Sequence, residues 1–289
     1  MEEIKEITIE DKNYPELLRK IKNPPKKLYI RGKIKNKENC FAIVGTRNCS
    51  DYGKRVALDF SGKLLDAEIT IVSGMAPGID TFSHRAAIKR KKRTIAVLGT
   101  GLDEKSIFPK ENILLSRKII EYGGCLISEY PPNTKGTKFT FPQRNRIISG
   151  LSLGTLIVEA KEKSGSLITA NYTIKQKRKL FAIPGQIYSL NSKGTNNLIK
   201  NGAILASDVN DILKELKIKN IEKNIKKEIK GDNKEENLIL NILKEEPLHI
   251  DKIIEKTNLP PQKVAGILTI LEIKDKIENL GGNVFSIIN

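Results

Sequence analysis

Short, near-continuously apolar runs alternate with helical stretches through most of this chain, and that alternation leaves few folds open. The runs are Phe41-Ala42-Ile43-Val44, Ile69-Thr70-Ile71-Val72, Thr94-Ile95-Ala96-Val97-Leu98, Leu126-Ile127, Leu156-Ile157-Val158 and Leu180-Phe181-Ala182-Ile183. A strand with one face in water alternates apolar and polar residues, whereas a run apolar throughout belongs to a strand covered on both faces. The runs end in turn or polar residues: Gly45, Ser73-Gly74, Gly99, Ser128-Glu129, Glu159 and Pro184-Gly185. Helical patterns lie between them at 53–65, 79–89, 113–122 and 167–177. Strand, turn and helix in that rhythm predict an α/β fold, Rossmann-like, with a doubly wound and mostly parallel sheet. Such sheets take their ligands beyond the carboxyl ends of the strands, where this chain concentrates Gly, Ser and Arg.

Four parts are expected. Residues 1–38 are a short N-terminal segment that carries Tyr14-Pro15 and Pro24-Pro25 and leads into Lys27-Leu28-Tyr29-Ile30. The Rossmann-like domain takes 39–212, and 213–232 is a Lys-rich linker. From Leu213 to Lys230 the chain has seven Lys and three Glu, a charge run of the solvated kind. Residues 233–289 form a small unit. Leu238, Ile239, Ile242 and Leu243 fall at helical spacing, further helices begin at Ile250 and Pro260, and Gly281-Gly282 separates two short runs as a hairpin does. Three helices and a hairpin make a winged-helix-like domain.

Charge narrows the partner. The formal net charge is +17 over 289 residues, and a surplus that large calls for a polyanion. No apolar run approaches the roughly 20 residues of a spanning helix, and no basic amphipathic helix carries a Trp or Phe anchor; no membrane role is expected. Met1-Glu2-Glu3-Ile4-Lys5-Glu6 lacks the apolar centre of a signal peptide. Nucleic acid remains. From Gly231 onward seven Lys and no Arg stand against ten Asp and Glu, a net of −3, so the first 230 residues carry +20. That part is expected to hold the nucleic acid. Winged helices commonly bind DNA, but the acidic balance of this one points to a protein contact instead. Cys40, Cys49 and Cys125 show no CxxC spacing, and Cys40 and Cys125 each open an apolar run. They are expected to be buried strand thiols of a cytoplasmic protein. With His84 and His249 as its histidines, the chain offers no zinc spacing. No metal or cofactor is expected.

Four loops carry the chemistry. In Val44-Gly45-Thr46-Arg47, Gly45 permits a tight turn, the helix beyond offers free N–H groups to a phosphate, and Arg47 can add a bidentate contact. A plain strand-to-helix turn with a solvated Arg fits the same residues. In Ser73-Gly74-Met75-Ala76-Pro77-Gly78-Ile79-Asp80, a helix-capping Asp80 and a helix-face His84 explain the pair better than catalysis, since spacing positions no nucleophile. The stretch Lys138-Phe139-Thr140-Phe141-Pro142-Gln143-Arg144-Asn145-Arg146 interleaves aromatics that can stack on any base with cations that can hold phosphates. One Phe as core and the arginines as surface is the plainer account; two Phe and three cations together favour a binding edge. Ser164-Gly165-Ser166 stands at a helix start, either as a further anion site or as an ordinary cap. Neither GxGxxG nor GxxxxGK[ST] occurs, which disfavours a dinucleotide site and excludes a P-loop NTPase.

In this order, VGTR with SDYG, SGMAPGID, TIAVLGTGLD, SEYPP, FPQRNRIISGLS, VEA, SGSLITA, FAIPGQI and SKGTNNLIKNGA closely resemble the DNA-processing protein A (DprA, or Smf) family. The resemblance extends from Tyr14 to Asp208, and the winged-helix-like tail is similar to the family's C-terminal domain. It implies a homodimer that binds and protects incoming single-stranded DNA in natural transformation and helps load the RecA recombinase onto it. Dimerisation and RecA contact are implied for the Rossmann-like domain. Carried over by motif, the DNA pocket comprises Gly45, Thr46 and Arg47, then Lys138 and Phe141 with Arg144 and Arg146 near, and Ser164, Gly165 and Ser166 at the same edge. Two departures stand out. Many relatives have a helical domain ahead of the Tyr-Pro motif, where this chain has about a dozen residues, so that domain is expected to be absent. Pro77 replaces the basic or polar residue many relatives have before the glycine of SGxAxGID.

The protein is therefore expected not to be an enzyme. The alternative is a nucleotide-binding hydrolase, because the fold also resembles that of nucleoside-monophosphate phosphoribohydrolases; Gly154-Thr155 and Glu159 resemble their signature, though not in its spacing. Glu159 and Asp80 would then be catalytic.

Overall fold

The apolar runs fold into the centre of one sheet, in a computed structural model that describes residues 3–218, 230–274 and 276–287. The first unit ends at residue 221. It opens with β1 (Lys5–Thr8), α1 (Glu16–Arg19), β2 (Lys27–Gly32), β3 (Cys40–Val44), α2 (Asp51–Asp66), β4 (Thr70–Ser73), α3 (Ile79–Lys89) and β5 (Thr94–Leu98). It continues with α4 (Ile113–Glu121), β6 (Cys125–Ser128), α5 (Thr140–Gly150), β7 (Gly154–Ile157), α6 (Ser166–Lys175) and β8 (Lys179–Ala182). It closes with α7 (Lys193–Lys200), β9 (Ile204–Leu205) and α8 (Val209–Glu215).

Nine strands pair in the order β1-β2-β6-β5-β4-β3-β7-β8-β9. From β6 to β9 all pairings are parallel. Residues 1–38, expected ahead of the sheet, supply its outer edge: β2 runs antiparallel to β6, with Tyr29 opposite Ser128, and β1 pairs with β2. Tyr14 locks this segment down. Its ring is fully buried and its hydroxyl donates to the Pro25 carbonyl at 2.8 Å.

Both faces of the sheet are covered, as continuous apolar runs require. Along β3 the side chains alternate: Cys40, Ala42 and Val44 join the core under α5, with Ile147 and Ile148. Phe41 and Ile43 join the opposite core with Phe60 and Leu64 of α2. Phe41 meets Phe181 of β8 with ring centroids 5.7 Å apart. Cys40 and Cys125 are buried, unpaired strand thiols, and burial pushes the Cys125 thiol up to about 12.

The order of strands positions the site. From β3 the chain winds through α2 to β4 in one direction. After β6 it crosses back through α5 to β7 and winds through α6 to β8 in the other. The carboxyl ends of β3 and β7 therefore flank the switch point, where a doubly wound sheet opens a crevice.

The second unit, from residue 222, has α9 (Lys234–Leu243), β10 (Leu248–His249), α10 (Ile250–Thr257), α11 (Pro261–Ile273), β11 (Ile277–Asn279) and β12 (Val284–Ile287). Its strands form an antiparallel sheet in the order β10-β12-β11, closing over Leu240, Ile253, Leu268 and Phe285. This is the winged-helix pattern of three helices and a hairpin. Leu213, at the start of the expected linker, is buried in the last helix of the first unit; residues 219–229 of that linker lie outside the described residues. No described helix is long and apolar enough to cross a membrane.

Candidate nucleic-acid interface

At the switch point lies a groove of about 610 Å³. The loop after β3 forms one wall with Gly45, Thr46 and Arg47; the start of α5 contributes Lys138, Phe141, Arg144 and Asn145; the segment after β7 brings Lys161, Lys163, Ser164, Gly165 and Ser166. Nine of the ten motif-derived residues thus line one groove.

The loop after β3 is held from two sides. Thr46 donates its backbone N–H to the Glu159 carbonyl at 2.8 Å, and its own carbonyl accepts from Ile79 at 3.3 Å. Gly78 turns there with φ +78°, and a Cβ at this position would strike the carbonyl oxygens of Thr46 and Arg47, so the close approach needs glycine. Buried Glu159 accepts from the Ser50 N–H at 2.9 Å and the Ser50 hydroxyl at 2.5 Å, while the Ser50 oxygen caps α2 by accepting from Gly53 at 3.1 Å. Fixed in this way, Arg47 remains exposed, with its guanidinium 5.8 Å from the centroid of the Phe141 ring, in cation–π range.

The entry to α5 is set by a reciprocal turn: the Thr137 N–H donates to the Thr140 hydroxyl oxygen at 2.8 Å, and the Thr140 N–H to that of Thr137 at 3.2 Å. Lys138 leaves this turn exposed, its ammonium 5.3 Å from the ring centroid of Phe139, which is itself 66 % exposed. Phe141 is half-buried between Gly99 and Gly136 and packs 5.8 Å from Phe108. Of the two aromatics in the motif, Phe139 is the more open to a base. Opposite, α6 starts at Ser166; the Ser164 and Ser166 hydroxyls are 2.8 Å apart, and Asn145 donates to the Gly165 carbonyl at 3.3 Å. The first N–H groups of α6 are taken up locally, Leu167 donating to the Ser164 carbonyl at 3.1 Å, Ile168 to the Gly165 carbonyl at 3.2 Å and Ser166 to the Ser164 hydroxyl oxygen at 3.4 Å. It is therefore the positive end of the helix dipole that favours an anion at this wall.

The two arginines of α5 part company. Arg144 lines the floor but is buried; it donates to the carbonyls of Gly74, at 2.7 Å, and Val97, and from Nε to Asn145 at 3.1 Å. Burial pulls its guanidinium down to about 10. It braces the loops more than it offers charge. Arg146 lies off the groove, paired with Glu129 at 2.6 Å and donating to the Asn23 carbonyl at 3.2 Å.

Asp80 does not cap its own helix. It sits in the first turn of α3 and reaches back to accept from the Gly74 N–H at 3.0 Å, buried, with its carboxyl pushed up by that burial against the pull of Arg144. His84 is fully buried with Nδ1 2.9 Å from the Thr94 hydroxyl, and burial drives it down to about 3. The motifs did not single out Lys161 and Lys163. Their neighbour Glu162 makes the stretch look like a solvated charge run; its position directly after the β7 carboxyl end is the signal that finds them.

The profile of the DNA recombination-mediator protein A family matches residues 5–217, and that of the DprA winged helix domain matches 227–283. The DNA processing protein DprA of Bacillus subtilis is 42 % identical over 221 residues, covering 76 % of this chain and 73 % of its own length. Protein Smf of Escherichia coli is 42 % identical over 205 residues, which are 71 % of this chain but 54 % of that protein, so the chain spans about half its length. Among solved structures, DprA from Streptococcus pneumoniae superposes with a TM-score of 0.68 at 39 % identity, over 74 % of each chain. DNA processing protein A from Helicobacter pylori, described for its unique single-stranded DNA binding mode, superposes with a TM-score of 0.65 at 30 % identity, over 75 % of this chain and 98 % of that one. The parallel sheet, the groove at its switch point and these likenesses agree: the chain belongs to the DNA recombination-mediator protein A family.

Proposed function

We propose that this protein binds single-stranded DNA in the groove between the ends of β3 and β7, protects the strand and helps load the RecA recombinase onto it in natural transformation. It acts in the cytoplasm as a homodimer. The observation that carries the reading is the groove: Arg47, Lys138, Lys161 and Lys163 line it together with Phe141; Ser164, Gly165 and Ser166 bring the α6 N-terminus to it; and exposed Phe139 stands beside Lys138. Cations for phosphates beside rings for bases suit a single strand of any sequence. RecA loading, transformation and dimerisation are supported by family membership.

The protein binds without catalysis. Glu159 and Asp80, the carboxylates a hydrolase would use, are buried and engaged, one by Ser50 and the other by Gly74. Free base released from nucleoside monophosphates would overturn this part.

The site is tested by competition gel shifts with single- and double-stranded DNA. Arg47→Ala with Lys138→Ala is expected to weaken single-strand binding roughly tenfold or more for all sequences. It should also flatten the log–log salt slope by roughly 1.4, about 0.7 for each phosphate released. Unchanged binding by the double variant would refute the assignment.

A further inference from the structure

A second cleft, of about 560 Å³, opens beside the groove, lined by Pro77, Gly78, Phe82 and Arg85 after β4 and by Phe108 and Glu111 after β5. The carboxyl ends of the strands follow one another across the sheet as β5, β4, β3 and β7. The two openings are therefore neighbours along one edge. They share a wall. Phe108 of the second cleft packs 5.8 Å from Phe141 of the groove, and Gly78 lies against the carbonyls of Thr46 and Arg47. The furnishing repeats as well. The Phe82 ring has two cations over it, Lys54 at 5.4 Å and Arg85 at 5.5 Å from its centroid, as Phe141 has Arg47. Phe108 is half exposed, while Lys54 and Arg85 are open to solvent.

We infer that the second cleft is a continuation of the nucleic-acid track: a single strand held in the groove crosses the Arg47–Phe141–Phe108 wall and sets its next bases on Phe82 and Phe108, with Arg85 and Lys54 on the backbone between them. The chemistry favours this occupant over a free nucleotide. A mononucleotide would need fixed donors for its base edge, whereas rings with loose surface cations recognise stacked bases and a backbone without regard to sequence. Glu111, which also lines the cleft, repels phosphate and leaves the side chains of Arg85 and Lys54 as the path of the backbone. This inference rests on the strand-binding reading of the groove, and it adds length to that site.

A ladder of oligothymidylates of increasing length, bound to the full chain and followed by fluorescence anisotropy, tests it. Short oligomers fill the groove alone, and longer ones gain a second increment of affinity. Arg85→Glu, on an exposed position, should erase that increment and leave the short oligomers untouched. Phe82→Ala should cost longer oligomers roughly 5- to 150-fold, the range of one stacked base, and Phe82→Tyr should restore them. Because Phe82 also packs against the core, Arg85→Glu keeps the test independent of folding. If all variants follow the wild-type ladder at every length, the track does not enter the second cleft. If Arg47→Ala leaves every length unchanged, the groove reading itself falls, and the two failures are told apart.

Discussion

Arg144 and Arg146 stand two residues apart on one helix, and neither does what its place in a basic–aromatic motif implies. Arg144 spends its guanidinium on loop carbonyls and Arg146 on Glu129, while Lys161 and Lys163 line the groove. Residue types and spacing locate the edge of the sheet where cations gather. They leave open which cation faces the groove, because that depends on long-range partners such as Gly74, 70 positions away from Arg144. His84 makes a residue-scale prediction. Its ordinary pKa is 6.5 and burial drives it to about 3 in the fold, so between those values the unfolded chain binds the extra proton. Stability is full above about pH 6.5 and falls as the pH drops towards 3, by up to about 1.4 kcal/mol per pH unit from this group. Buried Asp80, whose pKa is raised, acts in the opposite sense as the pH falls, so the contribution of His84 is read from a difference. Chemical denaturation of the wild type and His84→Gln across pH 4–7 should show the flatter acid limb in the variant.

At the scale of elements, the six apolar runs are β3 to β8, and the helical patterns at 53–65, 79–89, 113–122 and 167–177 are α2, α3, α4 and α6. Those were legible because burial on both faces imposes an unmistakable composition. β1 and β9 were not. β1, polar and exposed over its first two residues, lacks the apolar content that marks a central strand, and β9, though apolar, is too short at two residues to show a pattern. Gly78 tests the link between loop and groove. Gly78→Ala adds a Cβ against two carbonyl oxygens at positive φ, which should cost about 1–3 kcal/mol. For a unit of this size that lowers Tm by roughly 2–4 °C per kcal/mol, and the displaced Arg47 should weaken single-strand binding in the same variant.

Across the whole molecule, the charge is divided between the units, and the structure shows how the acidic tail uses its cations. Lys263 pairs with Glu235 at 2.5 Å, Lys274 with Asp232 and Glu236 at 2.7 and 2.9 Å, and Lys276 with Asp232 at 2.8 Å. Where a DNA-reading winged helix offers cations, α11 leaves Ile270 and Ile273 exposed. Residues 231–289, which carry their own core, are therefore expected not to shift duplex DNA in a gel. Lys263→Ala in the full chain should leave single-strand affinity and its salt slope unchanged. A duplex shift by the tail would assign it a DNA-binding role after all.

The tie between Glu159 and Ser50 has a kinetic consequence. Because the carboxylate fastens the start of α2, and its own backbone carbonyl fastens Thr46, the loop surrenders its conformational freedom once, when the chain folds, and not at each encounter. On the single-strand reading proposed above, an arriving strand meets the backbone of Arg47 already in place. Capture on that reading is expected to be set by diffusion and long-range attraction, without a slow loop rearrangement after contact, and added salt should slow arrival.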